Sequence, residues 1–139
     1  MRFSRSVDIG VPPDRVWAVM ADVERWPEWT ASVRTLKKLD EGPLAVGSRV
    51  RIKQPRLPPS MLEVTDVRQD CGFTWVARSP GVEVVADHRI ERSGNVSRVA
   101  LSVDFRGPFG PLFGWLTRGL TKRYLDLEAA GLKKRCESR

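Results

Sequence analysis

Two cysteines, one histidine and one tyrosine are all that these 139 residues hold of three residue types often recruited to chemistry. Cys71 and Cys136 have no metal-ligand spacing, so they read as two reduced thiols. With His88 the sole histidine, no metal site and no cofactor is expected. No stretch approaches the roughly 18 consecutive apolar residues of a membrane-spanning helix. The opening Met-Arg-Phe-Ser-Arg-Ser-Val lacks an apolar signal core, which makes a cytoplasmic location the expectation. There is no glycine-rich phosphate loop, no Gly-x-Ser-x-Gly elbow and no Cys–His catalytic signature. No carboxylate pair has a spacing that compels acid–base work. Acidic residues are outnumbered, 17 against 24, for a net charge of +7. The basic residues are scattered over strands and only Lys133-Lys134-Arg135 forms a run, so nucleic acid is not the expected partner.

What is present is organised around the C-terminal stretch from about Phe109 to Arg135. Phe109, Leu112, Phe113, Leu116, Leu120, Tyr124, Leu127 and Gly131 follow steps of three and four, which puts them on one face of an α-helix. Arg118, Lys122, Asp126 and Lys133 fall opposite. Gly110-Pro111 suits the start, where a missing N–H costs nothing. One long helix over 109–135 is predicted, and its apolar face has to lie against a sheet.

Before it the period is two. Phe3, Val7 and Ile9 mark a first half-buried strand. Pro12-Pro13-Asp14 starts a helix through Val16, Trp17, Met20 and Val23. Pro27 cuts a second short helix at Trp26, inside Trp26-Pro27-Glu28-Trp29. Six strands follow, in the regions of Val33–Leu39, Arg49–Lys53, Leu62–Asp66, Phe73–Ala77, Val82–Glu91 and Val99–Phe105, joined mostly by short Gly, Pro, Asn and Asp turns. Short connections imply an antiparallel meander, and seven twisted strands curl. The chain is therefore expected to be one domain, residues 1–139, of class α+β. A curved seven-stranded antiparallel sheet wraps a long C-terminal helix, with two short helices after the first strand.

The order of several short motifs carries a resemblance. They are Val16-Trp17, Glu24-Arg25-Trp26-Pro27-Glu28-Trp29, Gly47-Ser48-Arg49-Val50, Gln54-Pro55, Glu63-Val64-Thr65, Asp87-His88-Arg89-Ile90 and Phe105-Arg106-Gly107-Pro108. In this order, over essentially the whole chain, they are similar to the START-like, helix-grip superfamily of birch-pollen-allergen-like and bacterial polyketide cyclase/dehydrase-like proteins. The resemblance implies a cavity between sheet and C-terminal helix that takes small lipophilic molecules, and in some members aromatase/cyclase activity. Many relatives carry Trp just before Glu-Val-Thr; this chain has Leu62, a departure that bears on the pocket's shape.

The expected ligand-binding residues are Trp29, Trp75, Ala86, His88, Phe113, Leu116, Leu120 and Tyr124. Ala77, Val84 and Ala86 are small residues on the inner face and leave space. The large ones narrow that space into an apolar tunnel, or simply form a core. His88 shares the apolar parity of Ala86 and Ile90. It is the candidate catalytic residue, a proton donor or acceptor inside the pocket, or else a satisfied core histidine. Tyr124 offers a hydroxyl to a ligand's polar end. Arg5 and Asp66 share inward parity and could pair with each other. The mouth is expected near Trp29 and the Gln54–Pro59 loop. Two functions stand open, binding of a small hydrophobic ligand and a cyclase/aromatase- or dehydratase-type enzyme in the same cavity, beside an interaction module using the basic surface. Monomer and homodimer are both open.

Overall fold

The computed structural model describes residues 1–138. Seven strands form one antiparallel sheet: β1 (Arg2–Ile9), β2 (Thr35–Lys38), β3 (Arg49–Lys53), β4 (Ser60–Arg68), β5 (Gly72–Ser79), β6 (Val82–Ser93) and β7 (Val96–Arg106). Their order is β1-β7-β6-β5-β4-β3-β2, so β2 to β7 form a meander and β1 returns to pair with β7. Helix α1 (Pro13–Ala21) and a 3₁₀ helix (Val23–Glu28) carry the chain from the β1 edge to the β2 edge. Helices α2 (Gly110–Leu116) and α3 (Arg118–Glu137) close the fold.

Alternation decides which side of each strand faces inward. Val50 and Ile52 on β3, Leu62 and Val64 on β4, and Val99, Leu101 and Phe105 on β7 are buried on one face. β4 breaks its alternation, because the pairing with β5 shifts between Val64 and Asp66. The extra residue turns Asp66 outward to Arg68, 3.4 Å away. Arg5, on the sheet's edge strand, pairs with Asp126 of α3 at 2.6 Å. The pairing of Arg5 with Asp66 that their shared parity left open therefore does not form; each finds a nearer surface partner.

The C-terminal stretch departs from the expected single helix: it is interrupted at Thr117, whose φ is −102° and ψ 10°. The Phe113 carbonyl accepts from both the Thr117 hydroxyl, at 2.9 Å, and its N–H, at 3.0 Å. The Arg118 guanidinium donates to the Trp115 carbonyl at 2.7 Å. Side-chain donors thus compete for carbonyls that a continuous helix would use. The buried face also differs. α3 buries Tyr124, Leu125, Ala129, Leu132 and Cys136, a stripe rotated away from the expected Leu127 and Gly131. Gly131 instead provides close approach: a Cβ there would lie 1.9 Å from the Trp29 carbonyl oxygen. With that contact, α3 settles onto the 3₁₀ segment and α1, and Ile9, Val16, Met20, Trp26, Val99 and Leu132 form a dense core.

Candidate functional site

The inner face of the sheet is filled at one end and hollow at the other. Ala77 on β5, Val82, Val84 and Ala86 on β6, and Val103 on β7 are only half-buried, and all of them line a cavity of about 530 Å³. α3 roofs this space with Leu120, Thr121, Tyr124, Leu125 and Glu128, and α2 adds Phe113.

The mouth can be located from register. Glu63 pairs with Val76, so the start of β4 and the end of β5 lie at the same end of the sheet. There the Gln54–Pro59 loop faces the Ser79–Pro80 turn, and Phe109 donates its N–H to the Gly81 carbonyl at 2.9 Å, seating α2 beside that turn. Pro58, Pro59, Ser79, Pro80 and Phe113 all line the cavity and reach solvent. The Tyr124 hydroxyl donates to the Pro55 carbonyl and ties α3 to the loop. Burial raises the Tyr124 pKa and the charges of Arg56, Arg34 and Arg123 pull it back; the balance remains above the ordinary value, so the phenol stays protonated at neutral pH.

The floor is aromatic and holds the histidine. His88 is 4% exposed. Its ring stacks on Phe73, with centroids 4.2 Å apart, and meets the edges of Trp75 and Trp26. Nδ1 lies 3.2 Å from the Phe73 carbonyl, which can only accept, so this nitrogen carries a hydrogen. Nε2 lies 3.3 Å from the Glu128 carboxylate, itself largely buried. A histidine–carboxylate pair therefore sits at the inner end of an apolar chamber. Behind it on the outer face, burial pushes the Asp87 carboxyl up, but hydrogen bonds from Thr74 and Arg89 outweigh that and hold it below its usual value.

Of the residues expected at the site, Trp75, Ala86, His88, Phe113, Leu120 and Tyr124 line this cavity. Leu116 does not: Gly110 and Gly114 face Phe105, and that rotation sends Leu116 into solvent, 63% exposed. Trp29 does not either. It packs on Trp26 at 5.2 Å beneath α3, with its indole N–H buried and without a hydrogen-bond partner among the described residues. The loop side of the mouth coincides with the expectation; the Trp29 side is closed. Several lining residues lie outside the expected set, Trp26 and Glu128 among them. Trp26 is both an anchor, donating to the Met20 carbonyl at 2.9 Å, and part of the cavity wall. Glu128 was legible as the next helical step after Leu120 and Tyr124, but the stripe was followed through Leu127 instead.

The family description "Polyketide cyclase / dehydrase and lipid transport" matches residues 1–137. The chain belongs to that family. No curated protein is matched by its sequence. Among solved structures, a hypothetical protein from Helicobacter pylori is similar at a TM-score of 0.83 and 13% identity, over 99% of this chain and 88% of that one. The Zhui aromatase/cyclase from Streptomyces is similar at 0.75 and 15%, over 99% and 96%. Norcoclaurine synthase from Thalictrum flavum is similar at 0.76 and 12%, over 100% and 87%. At such identities these likenesses establish the helix-grip fold of this polyketide cyclase/dehydrase and lipid transport family member, and its cavity has to be read from its own residues. Among the described residues, no cluster of His, Cys, Asp and Glu could hold a metal ion. Among the described residues, no helix is long and apolar enough to cross a membrane.

Proposed function

We propose that this protein binds a small, mostly lipophilic molecule in the cavity between the sheet and α3. The observation that carries the reading is the hollow itself: about 530 Å³, walled by Trp75, Ala77, Val84, Ala86, Val103 and Leu120, with the polar groups His88, Glu128 and Tyr124 at fixed places. Its size lies within the roughly 300–1,000 Å³ of small-molecule sites. Each 100 Å² of apolar ligand surface withdrawn from water contributes roughly 2.5 kcal/mol. An environment-sensitive apolar dye is expected to bind, and Ala86→Trp to abolish that binding while keeping the melting temperature and circular dichroism of the folded chain. Undiminished dye binding in a folded Ala86→Trp protein would sink this location.

The His88–Glu128 pair, 3.3 Å apart and lining the cavity, favours a second reading. A flexible substrate with carbonyl groups, of the kind an aromatase/cyclase neighbour handles, would be folded by the walls while the pair moves protons for cyclisation or dehydration. The two readings differ in size of effect. In a carrier, His88→Gln or Glu128→Gln removes one hydrogen bond to a ligand and weakens binding roughly three- to tenfold. In an enzyme, either change lowers turnover by about 10²–10⁴ with little change in affinity. Mass spectrometry of an extract of the purified protein would supply the molecule for that comparison.

A further inference from the structure

Helix α2 packs in the reverse of the usual sense. A surface helix normally turns its bulky apolar stripe inward. α2 instead places Gly110 and Gly114 against Phe105, where a Cβ would come within 2.8 and 3.0 Å of it. Its large residues face water: Phe109, Leu112, Phe113, Trp115 and Leu116 are 60, 56, 42, 51 and 63% exposed. Phe109, Leu112, Phe113 and Leu116 follow i, i+3, i+4, i+7, so they form one continuous face rather than scattered side chains. A contiguous apolar face of this kind marks an interaction surface.

Its surroundings say what covers it. From Phe105 to Leu125 the chain carries Arg106, Arg118, Lys122 and Arg123 and no acidic residue. The facing Gln54–Pro59 loop adds Arg56, again without an acid. Arg106 is paired with Asp104. Arg56, Arg118, Lys122 and Arg123 pair with no carboxylate among the described residues. The Arg118 guanidinium lies 4.4 Å from the centroid of the Trp115 ring, at the edge of the apolar face. A second copy of this chain would bring the same unpaired cations against themselves. A nucleic acid would match the charge but offer nothing to Leu112 and Leu116. Hydrocarbon beneath negative headgroups satisfies both requirements: aromatic and leucine side chains enter the headgroup–acyl boundary while arginine and lysine stay at headgroup level.

We propose that α2, with the rim formed by Arg56, Arg118, Lys122 and Arg123, docks this protein reversibly on the surface of an anionic bilayer. Phe113 lines the cavity as well as belonging to the exposed face, so docking sets the cavity mouth against the lipid. The docking itself does not depend on what the cavity holds.

The test is cosedimentation with vesicles of equal parts phosphatidylcholine and phosphatidylglycerol, beside vesicles of phosphatidylcholine alone. Binding is expected to the mixed vesicles, at least about tenfold weaker to the neutral ones, and to fall as salt is raised. The double variant Trp115→Ser/Leu116→Ser changes exposed side chains only, so the fold should survive while sedimentation is lost. Arg118→Gln/Arg123→Gln should weaken binding by roughly 25-fold, about fivefold for each charge near the surface. Arg92→Gln/Arg98→Gln, at the far end of β6 and β7, should leave it unchanged. Loss of sedimentation from that far-end pair equal to the loss from the α2 pair would overturn the proposal, because net charge alone would then explain binding. So would a folded wild type that sediments with neither vesicle. A dimer seen by light scattering that Trp115→Ser dissolves would assign the face to a second copy. A labelled RNA bound in place of lipid and released by the same variants would assign it to nucleic acid. Dye binding in the cavity is read separately, so either reading can fail alone.

Discussion

The two ends of α3 lie over the same sheet and are packed in opposite ways. From Leu125 onward the helix buries Ala129, Leu132 and Cys136 against Ile9, Val16, Met20 and Val99. Toward its start it covers Val84, Ala86 and Val103 without filling the space above them. The sheet residues beneath the helix are apolar at both ends. The difference is that α1 and the 3₁₀ helix fill the space at the dense end, whereas α2 at the other end packs on Phe105 through its glycines and adds only Phe113 to the wall. Trp26 sits at the boundary and separates core from chamber. A cavity in this fold thus follows from a missing filler, not from special wall residues, and the few polar groups inside decide what it accepts.

The sharpest test of that comparison deletes the same side chain at each end. Leu132→Ala, in the dense end and 1% exposed, is expected to cost about 2–5 kcal/mol in urea unfolding. A cost below about 1 kcal/mol would mean that the dense end is not the stabilising core. The next effect is on the order of 2 kcal/mol and appears only in alkali. Burial pushes the Cys136 thiol from 9.0 up to about 11, because the thiolate would lie in the packed core. Its folded pKa is raised, so this contribution is fully present below about pH 9 and lost as the pH rises through 11. The stability difference between the native chain and Cys136→Ala should shrink over that range, and a constant difference would contradict the burial. The smallest effect belongs to the hollow end: Leu120→Ala borders open space and should cost less than about 1 kcal/mol. A loss as large as at Leu132 would show the two ends to be packed alike.

Much of the fold was legible because a two-residue period and a helical period cannot be confused over long stretches. The strands at 49–53, 72–79, 82–93 and 96–106 and the turns between them follow from alternation and from Gly, Pro and Asn placement. His88 was legible as inward-facing for the same reason, since parity with Ile90 settles its side. The bulge after Val64 was not, because a single extra residue leaves no mark in hydrophobicity yet reverses the side on which Asp66 falls. The C-terminal face was misjudged for a related reason. Leucines and aromatics occur around much of that stretch, so apolar spacing permits more than one face. The glycines at 110, 114 and 131 carried the decisive information. They mark where another segment approaches within a Cβ's reach, but without knowledge of which segment that is, they read only as weak helix positions.

By itself, then, the chain determined the order of its strands, their antiparallel pairing and the inward position of His88, since each is a local consequence of side-chain period and turn chemistry. Tertiary structure alone decided which face of α3 is buried, that Glu128 meets His88, that Leu116 and Trp115 stand in solvent, and that one end stays hollow. Each of these depends on two segments distant in sequence meeting at one distance: Trp29 with Gly131, Phe105 with Gly114, β6 with α3. Such distances are set by the shape of the whole packed sheet, which no local pattern encodes.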